Sequence, residues 1–231
     1  MTSLYGMDDL REMHDVVFLV DVDNTLLDND RIQADIRRYI ADHYGVPARD
    51  RYWALLDQIF EELGYRDYLG ALQRYRVEHP RDVRLLAMSS YLVDYPFANR
   101  LYPESMDVLA HLSTWGRTVL LTDGDVVFQP RKVERSGLYE AVAGHVLIYI
   151  HKEEQLEDVE AHYPARHYVL IDDKLRILST VKKVWGARVT TILPRQGSYA
   201  QDPSVRGAFP PPDIEIARIG EMLKFRREDL V

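Results

Sequence analysis

The pattern of apolar and polar positions changes rhythm along the chain. Val16, Val17, Phe18, Leu19 and Val20 form an unbroken apolar run, mostly β-branched or aromatic, which reads as a strand buried on both faces of a parallel sheet. Helical spacing then takes over. Residues 31–44 place Ile32, Ile36, Tyr39 and Ile40 on one face and stop at Gly45. Residues 51–63 carry Trp53, Leu56, Ile59, Phe60 and Leu63 and close at Gly64; residues 67–77 end before His79-Pro80; residues 82–92 carry Leu85, Leu86, Met88 and Leu92. No strand pattern interrupts these four predicted helices.

From Pro103 strands and helices alternate. The pattern predicts a helix over 104–115, a strand over 118–121, a helix over 126–136 stopped by Gly137, and a strand over 145–150. A charged helix to His162, a strand over 168–171, a helix to Trp185-Gly186 and a strand over 189–193, stopped by Pro194, follow. Such alternation means βαβ units and a parallel sheet. Residues 197–212, rich in Gly, Ser and Pro, read as a loop, and 214–225 as a closing short strand or helix. The expected architecture is α/β: a doubly wound parallel-sheet core from residues 1–27 and 103–231, with an all-helical cap, 28–102, inserted after strand one. An insert leaving the carboxyl end of a strand overhangs the edge where such sheets bind ligands, the place for a lid.

Charge and composition narrow the function. With 29 Lys and Arg against 37 Asp and Glu the net charge is −8, which argues against a general nucleic-acid or anionic-membrane binder. The absence of cysteine excludes disulfides, thiolate catalysis and Cys-ligated zinc. No apolar run approaches the ~20 residues of a membrane span. Residues 1–15 lack the basic, apolar, small-residue order of a signal peptide, so a cytoplasmic location is expected.

Candidate chemistry recurs at one structural place, the carboxyl ends of successive strands. Strand one gives Asp21 and Asp23, strand two Thr122, the turn after strand three Lys152, and strand four Asp172 and Asp173. Each has a plain explanation by itself: Asp and Asn after strand one could cap the next helix, Thr122 could do the same, and Asp172-Asp173 could favour a helix N-terminus. Lys152 could be a solvated first-turn residue, but it is poorly placed for that, since a cation is unfavourable at a helix N-terminus. Their coincidence is what carries weight.

The set resembles the haloacid dehalogenase superfamily of hydrolases, mostly phosphatases. Asp21-Val22-Asp23-Asn24-Thr25 is similar to its first motif, Leu121-Thr122-Asp123-Gly124 to the second, Lys152 to the third and Ile171-Asp172-Asp173 to the acidic fourth, in order and at similar spacing over residues 16–193. The resemblance implies a Rossmann-like core with a type-one helical cap. It also implies Mg²⁺-dependent hydrolysis of a small phosphorylated metabolite through an aspartyl-phosphate. Asp21 would be the nucleophile and Asp23 the acid, then base. Thr122, Asp123, Gly124 and Lys152 would bind the phosphoryl group, and Asp21, the Asp23 carbonyl and Asp172 or Asp173 would hold Mg²⁺, with Asp173 favoured and Asp172 turned toward Lys152 or a metal-bound water. Within the family, dehalogenases lack a second Asp at the position of Asp23 and phosphorylating ion pumps carry Thr, so its presence favours hydrolysis, or mutase chemistry, over a stable phosphoenzyme.

Alternatives share the core. A phosphomutase would use the same residues; a phosphonate hydrolase would need a cap lysine, and residues 28–99 contain none. A response-regulator receiver also combines acidic residues, Thr and Lys, but in another order and without a helical insert. A non-catalytic binding module need not keep this set. Several of the tyrosines (Tyr52, Tyr65, Tyr68, Tyr75, Tyr91 and Tyr95 among them) fall in the insert, where helix packing explains them better than a stacking platform. Arg66 and Arg74 read as surface charges before substrate contacts, Asp125 as a turn residue, and the 195–212 loop as part of the entrance.

Overall fold

A computed structural model describes residues 13–231, so the leader expectation for the N-terminus falls almost entirely outside the described residues. Six strands form one all-parallel sheet: β1 (His14–Val20), β2 (Arg117–Asp123), β3 (Val146–Tyr149), β4 (Ala165–Ile171), β5 (Val189–Pro194) and β6 (Ile214–Ile216), in the order β3-β2-β1-β4-β5-β6. The doubly wound arrangement thus matches the sequence reading. The order in which strands are added switches side between β1 and β4, the point outside whose strand ends such sheets bind ligands.

Strand alternation sorts the core into two layers. Val16, Phe18 and Val20 of β1 point into one apolar cluster with α5 (Ser105–Ser113) and α6 (Phe128–Arg135). Val17 and Leu19 point into the other, beneath α8 (Leu156–His162) and α9 (Leu175–Trp185). All five are at most 1% exposed, as a strand covered on both faces requires.

Between β1 and β2 the chain is helical: α1 (Asn29–Tyr44), α2 (Val46–Leu63), α3 (Tyr68–Glu78), α4 (Leu85–Val93) and a 3₁₀ turn (Phe97–Arg100). Helix α2 starts five residues earlier than its apolar spacing indicated, because Pro47 sits in the first turn, where its missing N–H costs nothing. Its apolar residues join the same cluster as one face of the sheet. The segment's two roots run side by side. Leu27 bridges Leu101, the Asp28 amide donates to the Arg100 carbonyl (2.8 Å) and the Tyr102 amide to that of Leu26 (2.9 Å).

Two stretches differ from their sequence reading. Residues 197–212 contain two short helices, α10 (Gly197–Gln201) and α11 (Pro203–Arg206), and the short α7 (Leu138–Ala141) follows α6. The closing segment is both β6 and a 3₁₀ turn (Ile219–Lys224). Among the described residues no helix is long and apolar enough to cross a membrane.

Candidate active site

The turn after β1 is fixed locally. Asn24 takes a left-handed backbone (φ 59°), which a short polar side chain tolerates, and its Oδ1 accepts from the amides of Asn29 (3.0 Å) and Asp30 (3.2 Å) at the start of α1. The helix-capping explanation therefore holds for Asn24, and for Asp28, which accepts from the Arg31 amide. It does not hold for Asp21 and Asp23, whose carboxylates meet lysines.

Lys152, 1% exposed, stands at the centre. Its Nζ donates to Asp21 Oδ1 (2.5 Å) and the Leu121 carbonyl (2.9 Å) and lies 2.6 Å from Asp172 Oδ2. Burial alone would lower its pKa, but Asp172, Asp21 and Asp123 outweigh that and hold it raised. One ammonium is thus shared by the ends of three strands, and its donors are committed to protein acceptors.

Asp173 has no such partner. Both its oxygens are buried without a hydrogen bond, beside Asp21 and Asp172, and one oxygen from each of the three carboxylates lies within 4.8 Å of the others. Burial, then Asp172 and Asp21, push Asp173 well above the usual carboxylate range; Asp172 is pushed up to about 6, by burial first, against the pull of Lys152. A cluster of oxygen ligands short of positive charge suits a hard divalent cation. The tertiary structure also separates the two neighbours. Asp172 faces Lys152, and its Oδ1 accepts from the Lys174 amide (2.7 Å), while Asp173 stays open.

The second-strand residues divide. Thr122 Oγ1 accepts from Gln129 Nε2 of α6 (2.9 Å), which leaves the hydroxyl hydrogen available to donate. Asp123 Oδ1 accepts from the Lys152 amide (2.8 Å), so its carboxylate pins the third-motif turn. The Gly124 amide donates to the Tyr149 carbonyl (2.9 Å) within the chain. What requires glycine there is packing: a Cβ would lie 2.4 Å from Cβ of Gln129. Asp125 acts as a turn residue, capping α6 through the amides of Val127 (2.8 Å) and Phe128 (2.6 Å).

Two residues were missed. Lys132 of α6, 1% exposed, donates to Asp23 Oδ1 (2.6 Å), Asp23 Oδ2 (2.7 Å) and Asn29 Oδ1 (3.1 Å). Gln129, which holds Thr122, lies one turn earlier on the same face. The signal was present: Phe128, Lys132 and Val133 share a helix face, and a lysine within an apolar stripe asks for a buried partner.

A cavity of about 360 Å³ opens between core and helical segment. Asp23, Asp173 and Lys132 line one side, Phe60, Tyr65 and Arg66 another. Asp21, Thr122 and Lys152 are buried and stay out of its wall. Tyr199 and Phe209 of the segment after β5 form a third wall. Gly197 (φ 70°) starts that segment against Asn24, whose Cβ would lie 2.5 Å from an added methyl, and the Ser198 amide donates to Asp30 (2.7 Å). Arg66 touches the cavity while paired with Asp57 (2.9 Å); Arg74 is held at the surface by Glu62. The other aromatics mostly pack: Tyr39 stacks on Tyr91 (3.6 Å) and Tyr68 on Phe128 (4.4 Å).

No protein-family model matches the chain, and no curated protein matches it. Among solved structures it is similar to a haloacid dehalogenase-like hydrolase of Burkholderia xenovorans LB400, 58% identical over 92% of this chain and 99% of that one (TM-score 0.87). More distant is the magnesium-bound HAD-hydrolase YfnB of Bacillus subtilis (15% identity, 92% and 98% coverage, TM-score 0.59). The L-2-haloacid dehalogenase of Xanthobacter autotrophicus stands equally far (16%, 92% and 98%, TM-score 0.58). These two distant likenesses extend to the fold alone.

Proposed function

The chain belongs to the haloacid dehalogenase-like hydrolases, and from that premise we propose that it is a Mg²⁺-dependent phosphomonoesterase acting on a small phosphorylated metabolite. The observation that carries the reading is the buried Asp173 carboxylate, both oxygens unpartnered, beside Asp21 and Asp172. A dehalogenase reading gives Asp23 no task, whereas ester hydrolysis needs an acid and base beside the nucleophile.

Asp21 attacks phosphorus, forming an Asp21 carboxylate oxygen–phosphorus bond as the phosphorus–leaving-oxygen bond breaks. Asp23 gives its proton to that oxygen. In the second step Asp23 takes a proton from water, whose oxygen attacks phosphorus and displaces Asp21, releasing inorganic phosphate. Lys152 balances the charge of Asp21 and Asp172, and the Thr122 hydroxyl, oriented by Gln129, donates to a phosphoryl oxygen. Asp21, Asp173 and the Asp23 carbonyl would hold Mg²⁺, which when bound neutralises the carboxylates and the phosphate charge. The helical segment 28–102 serves as the lid, contributing Tyr65 and Arg66 to a cavity sized for a small metabolite.

A panel of phosphorylated metabolites assayed for phosphate release, with and without Mg²⁺, tests the reading. Release that needs Mg²⁺, with phosphate trapped on Asp21, supports it; full activity in excess chelator, or trapping on Asp23, overturns it.

A further inference from the structure

Lys132 spends all three of its N–H donors on two residues, both oxygens of Asp23 and the side-chain oxygen of Asn29. Asn29 in turn gives its amide to Asn24, so the turn after β1, the first residue of α1 and helix α6 meet at one buried ammonium. Lys132 shares a face of α6 with Phe128 and Val133, where an unbranched apolar side chain would pack. Exchanging a whole buried ion pair for apolar groups is often neutral or stabilising, whereas removing Lys132 alone leaves Asp23 without its partner. What the charge does is fix a carboxylate. With both oxygens held by one donor group, Asp23 is set in position and in rotation. One turn earlier on the same face, Gln129 treats Thr122 likewise. Two turns of one helix therefore end on motif residues from two strands.

We propose that Lys132 is the positioning residue for Asp23, holding its carboxylate at the cavity wall for proton transfer, an inference that rests on the phosphatase reading of Asp23. Lys132 touches no reacting atom. It acts by keeping Asp23 where the leaving oxygen, and later the water, must lie, and a misplacement of about 1 Å at such a group costs ~10²-fold.

The test is a double-mutant cycle on p-nitrophenyl phosphate hydrolysis with Mg²⁺, comparing wild type, K132M, D23N and K132M/D23N, with K132R alongside. K132M should lower kcat about 10²-fold while moving KM less than about threefold, with phosphoenzyme accumulating because the second step depends most on Asp23. On the D23N background the same substitution should change kcat by less than about threefold, because the group it positions is gone. K132R should recover roughly tenfold over K132M, since the charge is restored with different geometry. If K132M does not fold, K132R carries the same cycle, its loss disappearing on the D23N background. An equal loss on both backgrounds, or a K132M enzyme within about threefold of wild type, overturns the proposal. A wild-type chain that releases no phosphate and forms no phosphoenzyme instead overturns the phosphatase reading, and this inference with it, before any variant is compared.

Discussion

The floor beneath the cavity and the roof over it are both laced with ion pairs, and the pairs are of opposite kinds. In this floor, below the cavity wall, Lys152, Asp21 and Asp172 are buried together, and Lys132 meets Asp23 at the wall. In the helical segment Arg51–Glu78, Arg66–Asp57 and Arg74–Glu62 lie in solvent. Exposed pairs are screened and pay side-chain entropy, so they contribute little. A buried pair costs desolvation, and removing one partner strands the other. The floor is therefore built for reactivity at some expense of stability, and the roof for shape.

The two regions also respond oppositely to protons. Asp172 and Asp173 are raised, by burial first. In the roof, burial alone would raise Asp35, but hydrogen bonds from Tyr95 and Arg100 outweigh it and lower it; Glu62 is lowered by Arg74, and Glu78 by Arg51.

The sharpest way to break the floor is D21N. It removes the proposed nucleophile with little change of shape, and phosphate release should fall below about one ten-thousandth of wild type while the thermal melt persists. A variant as active as wild type would show that Asp21 is an ordinary buried carboxylate. D173N tests the proposed metal ligand: activity should fall ~10²-fold and the stabilisation expected from Mg²⁺ in the wild type should be lost, read by thermal melts with and without the ion. Q129A frees the Thr122 hydroxyl to rotate, and a loss of roughly tenfold in kcat/KM is expected from steady-state assays.

The proton contrast is tested by melting the protein across pH without and with Mg²⁺. A carboxyl whose folded pKa lies above its unfolded value binds protons more tightly when folded. The contribution of Asp172, folded near 6 against 3.8 unfolded, should therefore fall as pH rises between those values. Asp173 has the same sign. Mg²⁺ should accordingly raise the midpoint more at about pH 7.5 than at about pH 4.5. The lowered Asp35 works the other way, its contribution present above 3.8 and lost as pH falls through its folded value. A Mg²⁺ effect independent of pH would remove the floor carboxylates from its cause. The smallest effect belongs to the roof: R74A should leave the melting temperature unchanged within error.

The sequence by itself determined the parts whose information is local. The apolar run at 16–20, the alternation after Pro103 and the helical spacing from 31 to 92 specify strands and helices because burial repeats at the period of each element. The motif residues were legible for the same reason: Asp21, Thr122, Lys152 and Asp172 each follow an apolar strand, and parallel strands bring such ends to one edge. Only the tertiary structure decided what those side chains touch. It put Lys132 on Asp23 and Gln129 on Thr122, spent the Gly124 amide on Tyr149, and brought Tyr199 and Phe209 to the cavity. Lys132 and Asp23 stand more than a hundred positions apart. Periodicity tells which face of α6 is buried, but the partner of a charge on that face is set by how helix and strand pack in three dimensions.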